Sequence, residues 1–127
     1  MAVPDNRPFY LNLLKIHLPV TGFVSILHRV SGLFLFLAVP FSAYLLDLSL
    51  QGAEGFKQAA EIINCSIVQF ALLILLWSLI HHLFAGIRFL LTDFDIGVDK
   101  QPAIRFAWAV FAIEAVVFLL IAMEVFL

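Results

Sequence analysis

Charged residues are gathered into short stretches that separate three long apolar runs. From Val30 to Leu46 no residue carries a formal charge, and the same holds from Ile62 to Ile87. A third run, about Ile104 to Phe126, carries Glu114 near its middle, with Arg105 and Glu124 close to its two ends. Crossing the hydrocarbon core takes about 20 mostly apolar residues in a helix. The pattern therefore predicts an all-α integral membrane protein with three transmembrane helices over about 22–50, 62–91 and 104–126. Pro40 falls inside the first span, where membrane helices tolerate it. Thr21 is expected to cap that helix. Residues 1–20, punctuated by Pro4, Pro8 and Pro19, carry no sustained helical period and are expected to form an arm on the membrane surface. The first connection runs from Asp47 to Glu61, with a short surface helix after Gly55. A charged loop, TDFDIGVDKQPAIR, links the second and third spans.

Composition agrees with the pattern. Apolar residues make up 64% of the 127 residues and the mean hydropathy is +1.09, against about 45–50% apolar in a soluble domain. The net charge of −2 comes with no basic cluster, so nothing points to nucleic acid. One cysteine, Cys65, excludes an internal disulfide. The N-terminus lacks the apolar core and small-residue cleavage site of a secretory signal, and also the Arg/Ser richness of a transit peptide, so it is expected to stay uncleaved. That favours a bacterial inner (cytoplasmic) membrane over a mitochondrial one. Arg7, Lys15 and Arg29 precede or open the first span, Lys57 lies in the first loop, and Arg88, Lys100 and Arg105 surround the second loop. Positive residues favour the cytoplasmic side, which places the N-terminus and second loop inside and Leu127 outside.

The chemistry concentrates in Trp77 to Phe94, WSLIHHLFAGIRFLLTDF. An imidazole at membrane depth is costly without a partner, so intramembrane histidines mark metals, carbonyls or proton paths. His82 shares its helical face with Ser78, Ala85 and Gly86, all small, which leaves room for a neighbouring helix or for a flat macrocycle. It is the candidate axial ligand to a haem; the alternative is a hydrogen bond to another helix. His17 and His28 lie before or at the start of the first run, and His81 faces about 100° away from His82. A second axial ligand is thus expected from another chain. Ser25, His28, Arg29 and Gly32 form one stripe at i, i+3, i+4 and i+7. A hydroxyl, an imidazole and a guanidinium on one stripe suit a ligand bearing carbonyl and anionic oxygens; the plainer reading is an arginine reaching lipid phosphates.

Together the segments Ser25-Ile-Leu-His28-Arg29-Val-Ser31-Gly32 and His82-Leu-Phe-Ala-Gly86-Ile87-Arg88, with Asp93, Arg7-Pro8, Leu18-Pro19 and Glu54-Gly55-Phe56, resemble the cytochrome b556 membrane subunits of succinate dehydrogenase (complex II). The resemblance spans nearly the whole chain. It implies half of a heterodimeric six-helix anchor, docked to an iron–sulfur subunit and a flavoprotein carrying FAD. It also implies His82 as the haem b iron ligand, His28 and Arg29 beside the cofactor, and Ser25, Arg29 and Asp93 at the ubiquinone site. The second anchor subunit would supply the other haem ligand. No catalytic residue is expected in this chain alone. Phe89 departs from relatives that carry histidine there, and Glu114 matches nothing in the pattern; a carboxylate at that depth is expected to face protein, protonated or paired. Two rival readings are a haem-free structural anchor of a fumarate reductase-like complex and a small transporter or proton-conducting protein. The absence of an internal repeat disfavours the transporter.

Overall fold

The computed structural model describes residues 17–126, the side chains of 125 and 126 apart. Most of the expected N-terminal arm, with Arg7 and Lys15, lies outside the described residues. Four helices follow in order: α1 (Val20–Ser49), α2 (Ala53–Ile63), α3 (Ser66–Asp93) and α4 (Lys100–Phe126). Three of them, α1, α3 and α4, are long and apolar enough to cross a membrane. Among the described residues there is no strand.

Helix α1 begins two residues before the point expected from Thr21, and Thr21 lies inside it. The N-cap is Pro19, held at φ −65° and ψ 155° with no side-chain cap. Its ring fixes φ at the required value, and its carbonyl accepts from the amides of Gly22 (2.9 Å) and Phe23 (3.1 Å). The helix continues past the polar boundary at Asp47, to which the Gln51 amide donates at 3.0 Å. Gly52, at φ 96°, then turns the chain into α2, a conformation open to glycine alone without strain. Gly55 packs directly on the carbonyl of Leu48 at the end of α1. No side chain fits between them.

The second membrane helix starts at Ser66, not Ile62. Asn64 and Cys65 break the chain there, Cys65 in an extended conformation (φ −66°, ψ 129°). That break is hidden in the sequence because neither glycine nor proline marks it. Helix α4 starts at Lys100, four residues earlier than expected, since Pro102 occupies its first turn, where a missing amide costs nothing. Between α3 and α4 the amides of Ile96 and Asp95 return to the carbonyls of Leu91 (2.9 Å) and Thr92 (3.0 Å). This is a Schellman closure, and its left-handed position is filled by Asp95 at φ 59°.

The three long helices run antiparallel in chain order. His82 of α3 abuts Gly32 of α1, and Gly86, one turn later, abuts His28, one turn earlier. On the other side of α3, His81 meets Glu114 of α4. The N-terminal end of α1, the C-terminal end of α3 and the start of α4 therefore share one end of the bundle; α2 lies at the other. Val24, Ala85, Ala107 and Val110 form a small buried cluster near the first end, with Val20, Phe84, Phe89 and Phe111 packed on it. Most large apolar side chains face outward, among them Phe36, Leu37 and Trp108, as lipid or a further helix layer requires.

Candidate functional site

Helix α3 carries two histidines aimed in different directions by their 100° offset. His82 faces α1, where its ring stacks on that of His28 with centroids 4.0 Å apart and planes within 10°. The approach is close because residue 32 is glycine: a Cβ there would stand 3.0 Å from His82 Cε1 and 3.3 Å from Nδ1. Gly86 does the same in return, its missing Cβ lying 3.5 Å from His28 Nε2. Phe89 meets the His28 ring edge-on, with centroids 5.2 Å apart.

The polar contacts fix the state of the His82 ring. Nδ1 lies 3.1 Å from the backbone carbonyl of His28, which can only accept, so Nδ1 carries the hydrogen. The Ser31 hydroxyl donates to that same carbonyl at 2.8 Å and lies 3.3 Å from Nδ1. Nε2 is left with the lone pair. An outer hydrogen bond from one ring nitrogen, fixing orientation and basicity, is the usual setting of an imidazole that ligates a metal through the other. Ser31 was not singled out for a role from the sequence; its spacing of three residues from His28 is the signal that would have shown it.

Among the described residues no three His, Cys, Asp or Glu side chains converge. A single imidazole suits a metal whose other ligands arrive with a macrocycle. The His28–His82 stack also shows that these two rings leave no room for a metal between them, because they lie face to face in contact. Along the same α1–α3 seam, one turn beyond His82, runs a groove of about 630 Å³ lined by Leu35, Ala38, Ser42, Leu75, Leu76 and Leu79, within the usual range of organic-ligand sites. The residues present fit a haem.

The remaining candidates are distributed differently. Of the Ser25–Gly32 stripe, His28 and Gly32 face α3, Ser25 is half-buried, and Arg29 is exposed on this chain. Asp93 is the last residue of α3 and exposed. The antiparallel register places Ser25, Arg29 and Asp93 toward the same end of the bundle, with Asp93 about 16 Å along α3 from His82. Arg88 is buried, with its guanidinium 5.4 Å from the Phe89 ring centroid and Nε unpartnered. It lines an apolar cavity of about 140 Å³ with Phe84, Phe106 and Val110.

His81 is fully buried and faces α4. Its Nδ1 lies 2.5 Å from Glu114 Oε2, and Glu114 is itself buried. The carboxylate thus faces protein and is paired, as its depth requires. The indole of Trp77 stacks on His81 at 5.4 Å and Phe111 tilts against it at 6.0 Å. Both residues are legible in the sequence at membrane depth, but their pairing is not, because it depends on the register between α3 and α4.

The fold and site define a small three-span helical membrane subunit that holds one imidazole in a fixed tautomer with its second nitrogen available to a ligand. The chain belongs to the succinate dehydrogenase/fumarate reductase transmembrane subunit family, whose pattern matches residues 4–121. It is similar to the succinate dehydrogenase cytochrome b556 subunit of Coxiella burnetii, at 34% identity over 91% of this chain and 93% of that one. The subunits of the same name from Rickettsia felis and Rickettsia bellii are 32% and 31% identical, each over 84% of this chain and 82% of the relative.

Proposed function

We propose that this chain is the cytochrome b-type anchor of a succinate:quinone oxidoreductase, ligating haem b through His82 Nε2 and contributing to the site where ubiquinone is reduced. The observation that carries the reading is the hydrogen bond from His82 Nδ1–H to the His28 carbonyl, which fixes the tautomer that leaves Nε2 for iron. The names of the relatives, cytochrome b556 subunits, support it.

Haem b, when bound, would supply a one-electron carrier. Each residue of this chain has a distinct task around it. Gly32 and Gly86 let α1 and α3 approach; the His28 carbonyl and Ser31 orient His82; the His28 ring covers one face of that imidazole. Arg29, exposed here, is covered on assembly and offers charge-assisted donors to a quinone oxygen, with Ser25 donating to a carbonyl oxygen. Asp93, at the same end of the bundle, places a carboxyl group near that site. A second membrane anchor subunit would supply the further residue that holds the haem. An iron–sulfur subunit and an FAD-carrying flavoprotein deliver electrons from succinate on the cytoplasmic face of a bacterial inner membrane, on which the N-terminus also lies. The anchor alone has no turnover.

The test is the reduced-minus-oxidised spectrum of the purified complex. His82→Ala removes the iron bond and is expected to abolish or grossly change the low-spin haem signal, whereas His17→Ala, exposed ahead of α1, leaves it intact. An unchanged spectrum in His82→Ala overturns the assignment.

A further inference from the structure

We propose that Glu114 is a positioning residue for His82, acting through His81 and the backbone they share. The proposal rests on the haem-ligand reading of His82 and adds to it a residue on the opposite helix.

The rotation of α3 about its own axis decides where both histidines point. Neighbouring side chains on a helix point about 100° apart, so whatever anchors His81 also aims His82. On the α1 side His82 meets a carbonyl, a hydroxyl and a glycine. With the stacked ring of His28, these hold the His82 ring itself from the α1 side. On the α4 side the hold is on His81. His81 is sealed from solvent, its Nδ1 bonds the carboxylate of Glu114, and Trp77 stacks on its face.

A second observation singles out Glu114. His81 Nε2 is buried and has no hydrogen-bond partner, so Glu114 provides the ring's sole polar contact among the described residues. The aromatic neighbours restrain tilt, but neither supplies a direction in the ring plane. Ser78 and Ala85, fully buried, lie one turn to either side of His81 along α3; they bring the helices close without anchoring them. Glu114 therefore restrains the rotation of α3 from the α4 side, and with it the plane and depth at which the His82 ring meets its contacts on α1.

The experiment uses the intact complex and reads the low-spin ferric haem signal by electron paramagnetic resonance, alongside haem content per flavin. In Glu114→Ala the signal is expected to shift or split, because the ligand plane is no longer fixed. Glu114→Gln is expected to restore the wild-type signal, since the amide oxygen still accepts from Nδ1–H. A residue that only held the bundle together would lower the amount of complex without changing the signal of what remains. Should Glu114→Ala fail to assemble, the double variant H81F/E114L decides, because it leaves no polar group buried alone and still removes the anchor. A wild-type signal in whichever of these assembles overturns the proposal, as does a Glu114→Gln signal displaced as far as that of Glu114→Ala. A normal signal in His82→Ala would instead overturn the ligand assignment itself, so the two failures are separable.

Discussion

A single absent methyl group decides where His82 can stand. With Gly32 at 3.0 Å from the ring by its missing Cβ, any larger residue there must push the imidazole off the carbonyl of His28. The stripe that contains Gly32 divides into two tasks: His28 and Gly32 serve the α1–α3 seam, while Arg29 looks outward. From this division follows a prediction for catalysis. Ser25→Ala and Arg29→Ala are expected to lower succinate:quinone activity by about tenfold or more, the scale of one or two lost charge-assisted hydrogen bonds, while reduction of an artificial dye that takes electrons upstream is spared. Equal losses in both assays would mean that the complex had come apart. His82 was legible in the sequence because an imidazole flanked by small residues at membrane depth is rare and chemically loaded. The tautomer was not, since it depends on a backbone carbonyl 54 positions away. Glu114 was legible as a buried carboxylate and illegible as the partner of His81 for the same reason.

At the level of the helices, apolar run length located all three spans, and the errors fall where local chemistry outweighs it. Proline moved two helix starts toward the N-terminus, Pro19 as a cap and Pro102 as a first-turn residue. The Asn64–Cys65 break is hard to see because Asn64 and Ser66, with no glycine or proline beside them, are a weak turn signal inside a long uncharged run. The loop after α3 is the most informative of these sites. Asp95 takes the left-handed position of a Schellman closure that glycine usually fills. An L-residue there costs about 1–2 kcal/mol, less for aspartate than for most. Asp95→Gly is expected to hold or raise the temperature at which the solubilised complex dissociates, and Asp95→Val to lower it. A rise with valine would show that the closure bears no strain. Next to it Gly97, at φ 75°, lies against the ring of Phe106, so the loop and the start of α4 pack as one unit.

For the molecule as a whole, three antiparallel spans put the two ends of the bundle on opposite faces of the membrane, and the proposed orientation rests on the count of basic residues. In intact cells an impermeant thiol reagent is expected to label a cysteine placed at Gly52 and not one placed at Val98. The reverse pattern would put Ser25 and Arg29 across the membrane from succinate-derived electrons. So much apolar surface is turned outward around so small a core that lipid or another helix layer must complete the structure, which is the part of the architecture that composition foretold most directly. The His81–Glu114 pair carries a last consequence, for how the chain is made. Helix α3 leaves the ribosome before α4, so the imidazole is already resident in the bilayer when the glutamate-bearing segment follows it. A carboxylate placed at the centre of an inserting helix resists transfer by about 2.5–3.5 kcal/mol; here it enters beside a base that arrived first, and the order of synthesis eases the insertion of the final span.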